Sequence, residues 1–453
     1  MTIQDWEKII IPEPNDENIF DYYIGQMALP DRLSRRTGTL VEAMKHTWYE
    51  YVPSWYNGEK ALPLVVSLHG ASGTGHHQAR STGWHLVAER DGLMVIFPNS
   101  STNIDTARNP NNRWDNQWDG TDMNYLKALI EHVVSEYNID DSRIYMHGIS
   151  NGDMMSLQFA LKHGEVLAGL ASGIGPTPWR NFEKGDIFKP EKPLPVYQWR
   201  GEQDLIVPGI QREEGGDPSI RDDLNEFNKQ LWIEIGGHEH IPQIRIRGRD
   251  NLEIYRGGSV PFFYNEVKDA PHQTDVYAAD VMWREMLSGC HRGSDGEIVS
   301  NKPLDPPEGD KNAVAIVLGT NKAFIDNEVY VLKQGGPVMI GSSMYVPVQF
   351  LGQAFGAEVE LVGEGKQAVV RTEDGTTIGF SHGNSSVTVN NRITLLDQKM
   401  EFKDDMLMIP VQTVCEKLFH KNISCNSFVA YISDHRAELS RGIARTLQRI
   451  LKS

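Results

Sequence analysis

Short, unbroken apolar runs separated by stretches of helical periodicity leave few folds open to this chain. LPLVVSL (62–68) and LMVIFPN (93–99) show no polar alternation, so each reads as a strand buried on both faces. SRIYMHG (142–148) and PLPVYQWRG (193–201) continue the series. Between them, WHLVAERDG (84–92) reads as a helix closing at Gly92, and MMSLQFALKH (154–163) as another. NYLKALIEHVVSEY (124–137) sets Leu126, Leu129, Ile130, Val133 and Val134 on one helical stripe. TWYEYVP (47–53) alternates large and polar residues and reads as a strand ahead of them, with a short helical patch around Pro30–Lys45. Strands alternating with helices argue for an α/β fold, a mostly parallel sheet with helices on both faces.

The alternation ends after VYAADVMWREMLSG (276–289), read as a last helix. The stretch 293–312, GSDGEIVSNKPLDPPEGDKN, is rich in Gly, Pro, Asp and Ser and reads as a linker. Beyond it lies a β-rich segment with an internal repeat. YVPVQFLGQAFGAEVELV (345–362) matches MIPVQTVCEKLFHKNISC (408–425), Val346-Pro-Val-Gln349 aligning with Ile409-Pro-Val-Gln412 at a shift of 63 residues. The pieces VYVLK (329–333) and VTVNN (387–391) are expected to correspond as well. RGIARTLQRILKS (441–453) reads as a basic amphipathic helix, packed or capping rather than membrane-bound. The expected division is an extension over 1–46, a catalytic domain over 47–292, a linker over 293–321, and a smaller α+β repeat domain with its terminal helix over 322–453.

Charge and composition remove several classes of function. Lys and Arg total 44 against 61 for Asp and Glu, a net charge of −17, and no basic run relieves it. Nucleic acid and anionic membranes are therefore poor partners. No apolar run approaches the roughly 18 residues of a membrane span. The first residues carry acids where a signal peptide has a basic region, so the expectation is a cytoplasmic chain as given, secreted or surface-bound if a signal was removed. The three cysteines, Cys290, Cys415 and Cys425, have neither disulfide-framework nor metal-site spacing. No metal or other cofactor is expected.

The chemistry concentrates at Gly148-Ile149-Ser150-Asn151-Gly152, between an expected strand and an expected helix. That is the setting of a G-x-S-x-G nucleophile elbow, where small residues let the chain pass close on either side of a strained serine. A serine hydroxyl needs a base, and the base an orienting acid, in the order Ser, Asp or Glu, His for this fold. Asp204, in YQWRGEQDLIVP just past a buried strand, is the acid expected, with Glu202 its local rival. His272, between an apolar strand and the last helix, is the base expected; His238, His240 and His291 are the alternatives. His238 and His240 lie two apart, with no third metal ligand evident, and read as a surface loop. An oxyanion needs two N–H donors. The backbone of Asn151 should give one, and Ala71 the other, with Gly70 as the alternative. Trp114 and Trp118 are candidates to line a substrate cleft.

At these residues the sequence resembles the polyhydroxybutyrate depolymerase/feruloyl esterase group of α/β-hydrolases. The pieces that carry the likeness are LPLVVSLHG, the block RWDNQWDGTDMNYLKALIEHVVSEYNIDDSRIYMHGISNGDMM, YQWRGEQDLIVP and APHQTD, across roughly 47–289. The resemblance implies a carboxylic-ester hydrolase using Ser150, Asp204 and His272 on a small or oligomeric ester, plant-derived (feruloyl or acetyl type) or hydroxyalkanoate. A serine peptidase on the same fold, or a binding protein with a vestigial hydrolase domain, are the other readings. The C-terminal repeat resembles the copper amine oxidase N-terminal-like domain over roughly 322–433. Its histidines show no ligand spacing, so no copper is expected. Three roles stand open for it: polymer binding, a lid, or assembly into a homo-oligomer.

Overall fold

The run Leu62–Leu68 is buried along its whole length, as an unbroken apolar strand must be when both sheet faces are covered. In the computed structural model, residues 31–41, 44–102, 111–175, 188–204, 218–272 and 276–453 are described. Contacts divide the chain into two units, Met1–His240 with Ile254–Pro307, and Ile241–Glu253 with Glu308–Ser453.

The strands of the first unit are β1 (Ser34–Thr39), β2 (Lys45–Tyr51), β3 (Leu62–Leu68), β4 (Met94–Pro98), β5 (Ile139–Ile149), β6 (Gly169–Gly173) and β7 (Val196–Gly201). β8 (Gln243–Arg247) belongs to the second unit and β9 (Asp250–Tyr255) runs from it into the first, which then continues with β10 (Phe262–Val267), β11 (Cys290–Arg292) and β12 (Ile298–Ser300). The order β1-β2-β4-β3-β5-β6-β7-β10 is antiparallel at β1 and β2 and parallel from β4 onward. Ser34–Thr39 is an edge strand, not the helical patch expected there. Its backbone pairs with β2 residue for residue, a tertiary gain that local helical preference cannot match. The expected helices form at Trp84–Asp91, Thr121–Glu136 and Asn151–Lys162. The last one is shorter than expected: Ala278–Glu285, then a 3-10 turn at Leu287–Gly289.

Register decides where the chemistry sits. Leu68 lies beside Gly148, Ile149 beside Gly173, Gly173 beside Trp199, and Val267 beside Gly201. The C-terminal ends of β3, β5, β6, β7 and β10 therefore open on one sheet edge, where α/β folds place their sites.

The second unit is built on a duplication. Its first copy holds β13 (Val314–Val317), β14 (Lys322–Ile325), β15 (Glu328–Val331), β16 (Val338–Ile340), β17 (Ser343–Pro347), helix Phe350–Phe355, β18 (Glu358–Val362) and β19 (Gln367–Arg371). The second copy repeats this as β20 (Thr377–Ser381), β21 (Ser386–Val389), β22 (Arg392–Leu395), β23 (Glu401–Lys403), β24 (Met406–Pro410), helix Val411–Leu418, β25 (Asn422–Asn426) and β26 (Val429–Ser433). The copies exchange hairpins: one sheet runs β15-β14-β13-β26-β25 and its counterpart β18-β19-β20-β21-β22. They meet at β17 and β24, where Val346 pairs with Ile409, its own equivalent at the 63-residue shift. A local two-fold axis passes through that pair. β13 falls inside the stretch 293–321 read as linker, yet it is a central strand.

One correspondence needs correcting. VTVNN (387–391) is the counterpart not of VYVLK but of residues 323–327. In both places a strand ends in a tight turn with two positive-φ residues, Asp326 (50°) and Asn327 (66°) against Asn390 (48°) and Asn391 (64°). Short polar side chains that tolerate this conformation are the hairpin signal.

Burial of Ile409 at the axis predicts a cost of about 2–5 kcal/mol for Ile409→Ala. Ile393, 75% exposed on the edge strand β22, should lose no more than about 0.5 kcal/mol as Ile393→Ala. Urea unfolding of the two variants checks the contrast.

Candidate active site

Ser150 sits between β5 and the helix Asn151–Lys162 with φ 54° and ψ −116°. That is a conformation an L-residue holds only when its surroundings dictate it. The two glycines show why it is held. A Cβ on Gly148 would lie 2.5 Å from the Gly152 carbonyl oxygen, and one on Gly152 would lie 2.4 Å from that of His69. The turn is packed too tightly for a side chain on either flank.

Asp204 follows β7 and His272 follows β10. The Ser150 hydroxyl donates to His272 Nε2 at 2.8 Å, and His272 Nδ1–H donates to Asp204 Oδ2 at 2.7 Å. The acceptor-only carboxylate sets the tautomer: the proton is on Nδ1 and the lone pair faces the serine. Asp204 is buried and His272 half-buried. Glu202 is turned elsewhere, accepting from the Asp269 N–H at 2.9 Å and from Lys268 Nζ at 3.1 Å. The other histidines also lie apart from the serine. The 237–241 loop is at the surface, but the His238 side chain turns inward and is buried against Phe262, at 5.9 Å between rings. His240 is exposed, and His291 Nδ1 lies 3.4 Å from Asn301 Nδ2.

The loop after β3 closes a tight turn through Ala71 and Ser72, the Gly73 N–H donating to the Gly70 carbonyl at 3.1 Å. His69 Nδ1–H donates to the Gly70 carbonyl at 2.8 Å and Nε2 accepts from the Ser100 N–H at 3.2 Å. Burial lowers the His69 pKa to about 4, so the ring is neutral and keeps both bonds. Gly70 passes close to Ser150, its Cβ direction ending 3.5 Å from Ser150 Cβ. Among the described residues, the backbone N–H groups of Ala71 and Asn151 donate to no protein acceptor.

Sequence reasoning had no sign of the buried support behind the elbow. Asp153, in the first turn of the elbow helix, accepts from Gly175 N–H at 2.7 Å and Ser172 Oγ–H at 2.8 Å, and faces Arg200 Nη1 at 3.4 Å. Burial raises its pKa, opposed by Arg200. Asp122 does similar service for the 112–120 loop, accepting from Ser101 N–H at 2.7 Å and Asp115 N–H at 2.8 Å. Trp114 and Trp118 both sit in the core. The Trp114 indole N–H is spent on the His69 carbonyl, and the Trp118 ring packs on Phe188 at 4.8 Å.

Parts of the chain match known families. Residues 47–176 match the family described as Esterase PHB depolymerase, and residues 308–370 and 324–424 the Copper amine oxidase N-terminal domain. The chain carries both domains. The bifunctional acetylxylan esterase/xylanase of Neocallimastix patriciarum is 29% identical over 176 residues, 39% of this chain and 24% of that protein. Feruloyl esterase B of Piromyces equi is 26% identical over 211 residues, 45% of this chain and 38% of its own. Poly(3-hydroxyalkanoate) depolymerase C of Paucimonas lemoignei is 24% identical over 242 residues, 44% of this chain and 56% of its own. The chain thus spans from about a quarter to just over half the length of these relatives. Among solved structures, an acetyl xylan esterase from Aspergillus awamori aligns at TM-score 0.41 and 15% identity, covering 55% of this chain and 97% of that one.

The histidines of the second unit make other contacts. His382 packs on the Phe402 ring at 6.0 Å, His435 bonds to the Ile246 carbonyl at 2.7 Å, and His420 occupies a positive-φ turn. Among the described residues no three His, Cys, Asp or Glu side chains gather as a metal site. None of the described helices is long and apolar enough to cross a membrane.

Two outcomes follow. Gly152→Ala should destabilise by about 1–3 kcal/mol through overpacking, read by thermal unfolding. Asp122→Asn should cost about 1–3 kcal/mol, because one backbone N–H loses its acceptor. Burial lifts the Asp122 pKa from 3.8 to about 6. Its contribution to stability is therefore fully present below the unfolded value and lost as pH rises through the folded one. The margin of wild type over Asp122→Asn should shrink across that window in urea titrations.

Proposed function

We propose that the first unit is a serine carboxylic-ester hydrolase working through Ser150, His272 and Asp204. The observation that carries this is the hydrogen-bonded relay from a strained, elbow-borne serine through a single-tautomer imidazole to a buried carboxylate. Ser150 Oγ attacks the ester carbonyl while His272 Nε2 takes its proton. Asp204 keeps the ring oriented and balances the imidazolium charge. The carbonyl oxygen, now an oxyanion, is received by the N–H groups of Asn151 and Ala71. His272 then protonates the departing alcohol, the C–O bond breaks, and an acyl-serine remains. A water deprotonated by His272 attacks that ester, and Ser150 leaves with the proton restored.

The relatives' names supply the substrate classes. Acetyl, feruloyl and hydroxyalkanoate esters are the acyl types proposed, and the family match over 47–176 supports an ester rather than an amide.

A panel of nitrophenyl acetate, a feruloyl ester, acetyl-xylan, hydroxybutyrate oligomers and a peptide anilide tests the reading. Hydrolysis of at least one ester is expected, with a loss on the order of 10⁶ in kcat for Ser150→Ala and about 10⁴ for Asp204→Asn. Folded Ser150→Ala with full activity, or activity on the anilide alone, would sink it.

A further inference from the structure

We propose that Trp114 is the strut that fixes the spacing between the two halves of the oxyanion pocket, a positioning residue for the Ser150 reaction. This rests on the hydrolase reading above and adds to it a residue that touches neither substrate nor the reacting atoms.

The two donors come from different parts of the fold. Ala71 belongs to the loop after β3, and Asn151 opens the elbow helix. Both donate through the backbone, so their separation depends on what ties the two segments together. Trp114 does so with both of its N–H groups. Its indole Nε1–H donates to the His69 carbonyl at 2.8 Å, two residues before Ala71. Its backbone N–H donates to Asn151 Oδ1 at 2.8 Å, on the residue that holds the other donor. The indole is 2% exposed, and its ring centre lies 5.1 Å from that of His69.

The strut is itself braced. Ser72 N–H donates to the Asn112 carbonyl at 2.8 Å, and Asn112 Nδ2–H donates to the Gly73 carbonyl at 3.1 Å. This reciprocal pair docks the 112–114 segment on the loop after β3. On the far side Asp122 accepts from the Asp115 N–H at 2.8 Å, fixing the same segment to the helix Thr121–Glu136. Such a linkage matters because oxyanion donors act only at the right separation from the developing charge. A shift of about 1 Å costs on the order of 100-fold.

The test is Trp114→Phe, which keeps an aromatic plane and removes the indole donor. Three readings are taken: steady-state hydrolysis, inhibition by a phenylboronic acid, and the rate of labelling by a fluorophosphonate. A kcat lower by about 10- to 100-fold with KM nearly unchanged is expected. The boronate inhibition constant should rise and the labelling rate fall by a similar factor, since both pass through a tetrahedral centre on Ser150. Unchanged kcat and labelling in a folded variant would overturn the proposal. So would a raised KM with kcat intact, which would mark a substrate-lining residue. If Trp114→Phe fails to fold, Asn151→Ala removes the other end of the strut and is read the same way. Wild type that never labels at Ser150 would defeat the hydrolase reading instead, and that outcome is visible before any variant is made.

Discussion

A serine held at φ 54° is the constraint on which the first unit turns. The conformation is costly alone and persists because the chain is pinned on every side. Ser150 N–H donates to the Gly173 carbonyl at 2.9 Å, tying the elbow to β6. Asp153, one turn on, gathers β6 and β7 through Ser172 and Arg200. The Asp153–Arg200 pair is a buried charge arrangement, weak as a source of stability but exacting in geometry. It holds the first turn of the elbow helix against β7, the strand that leads into Asp204. The site is thus a consequence of how tightly the C-terminal ends of β5, β6 and β7 are sewn together.

The parallel sheet and the elbow could be read from the sequence because burial on both faces leaves an unmistakable apolar run, and because G-x-S-x-G at a strand-helix junction has a steric meaning. Asp204 and His272 were legible for a related reason: each follows a buried strand in the chain order this fold uses. The edge strand Ser34–Thr39 was not, since five of its six residues are exposed and polar or small, and pairing with β2 supplies the reason for its shape. Nor was the placement of Trp114 and Trp118. A tryptophan in a polar loop carries the same signal whether its indole faces a ligand or a carbonyl. The His69 carbonyl that Trp114 reaches lies 45 residues away in sequence.

The repeat shows a different limit. The Pro-Val-Gln motif located the duplication correctly because it marks β17 and β24, the strands on the local axis. Pairing VYVLK with VTVNN failed because both are alternating strands with polar ends, and similarity at that level does not set register. The turn pairs Asp326-Asn327 and Asn390-Asn391 do, since a two-residue hairpin fixes which strand follows which.

Duplication would make the second unit symmetric if both outer sheet faces were alike, and alternate positions show why they are not. On β13, β14 and β26 the outward residues are Ala315, Val317, Phe324, Val429 and Tyr431, all buried. They share a core with Ile443, Leu447 and Leu451 of the helix Arg441–Lys452 and with Ile244 and Ile246 of β8. The equivalent outward positions on β20, β21 and β19 are Gly379, Ser381, Thr388, Gln367 and Val369, none of them buried. An apolar face must be covered, and each fully buried aliphatic or aromatic side chain is worth about 1.5–3 kcal/mol. The polar face gains nothing from a cover. The inner faces of both sheets kept their shared pattern because they pack on one another across the axis. The outer faces diverged because only one of them received the terminal helix.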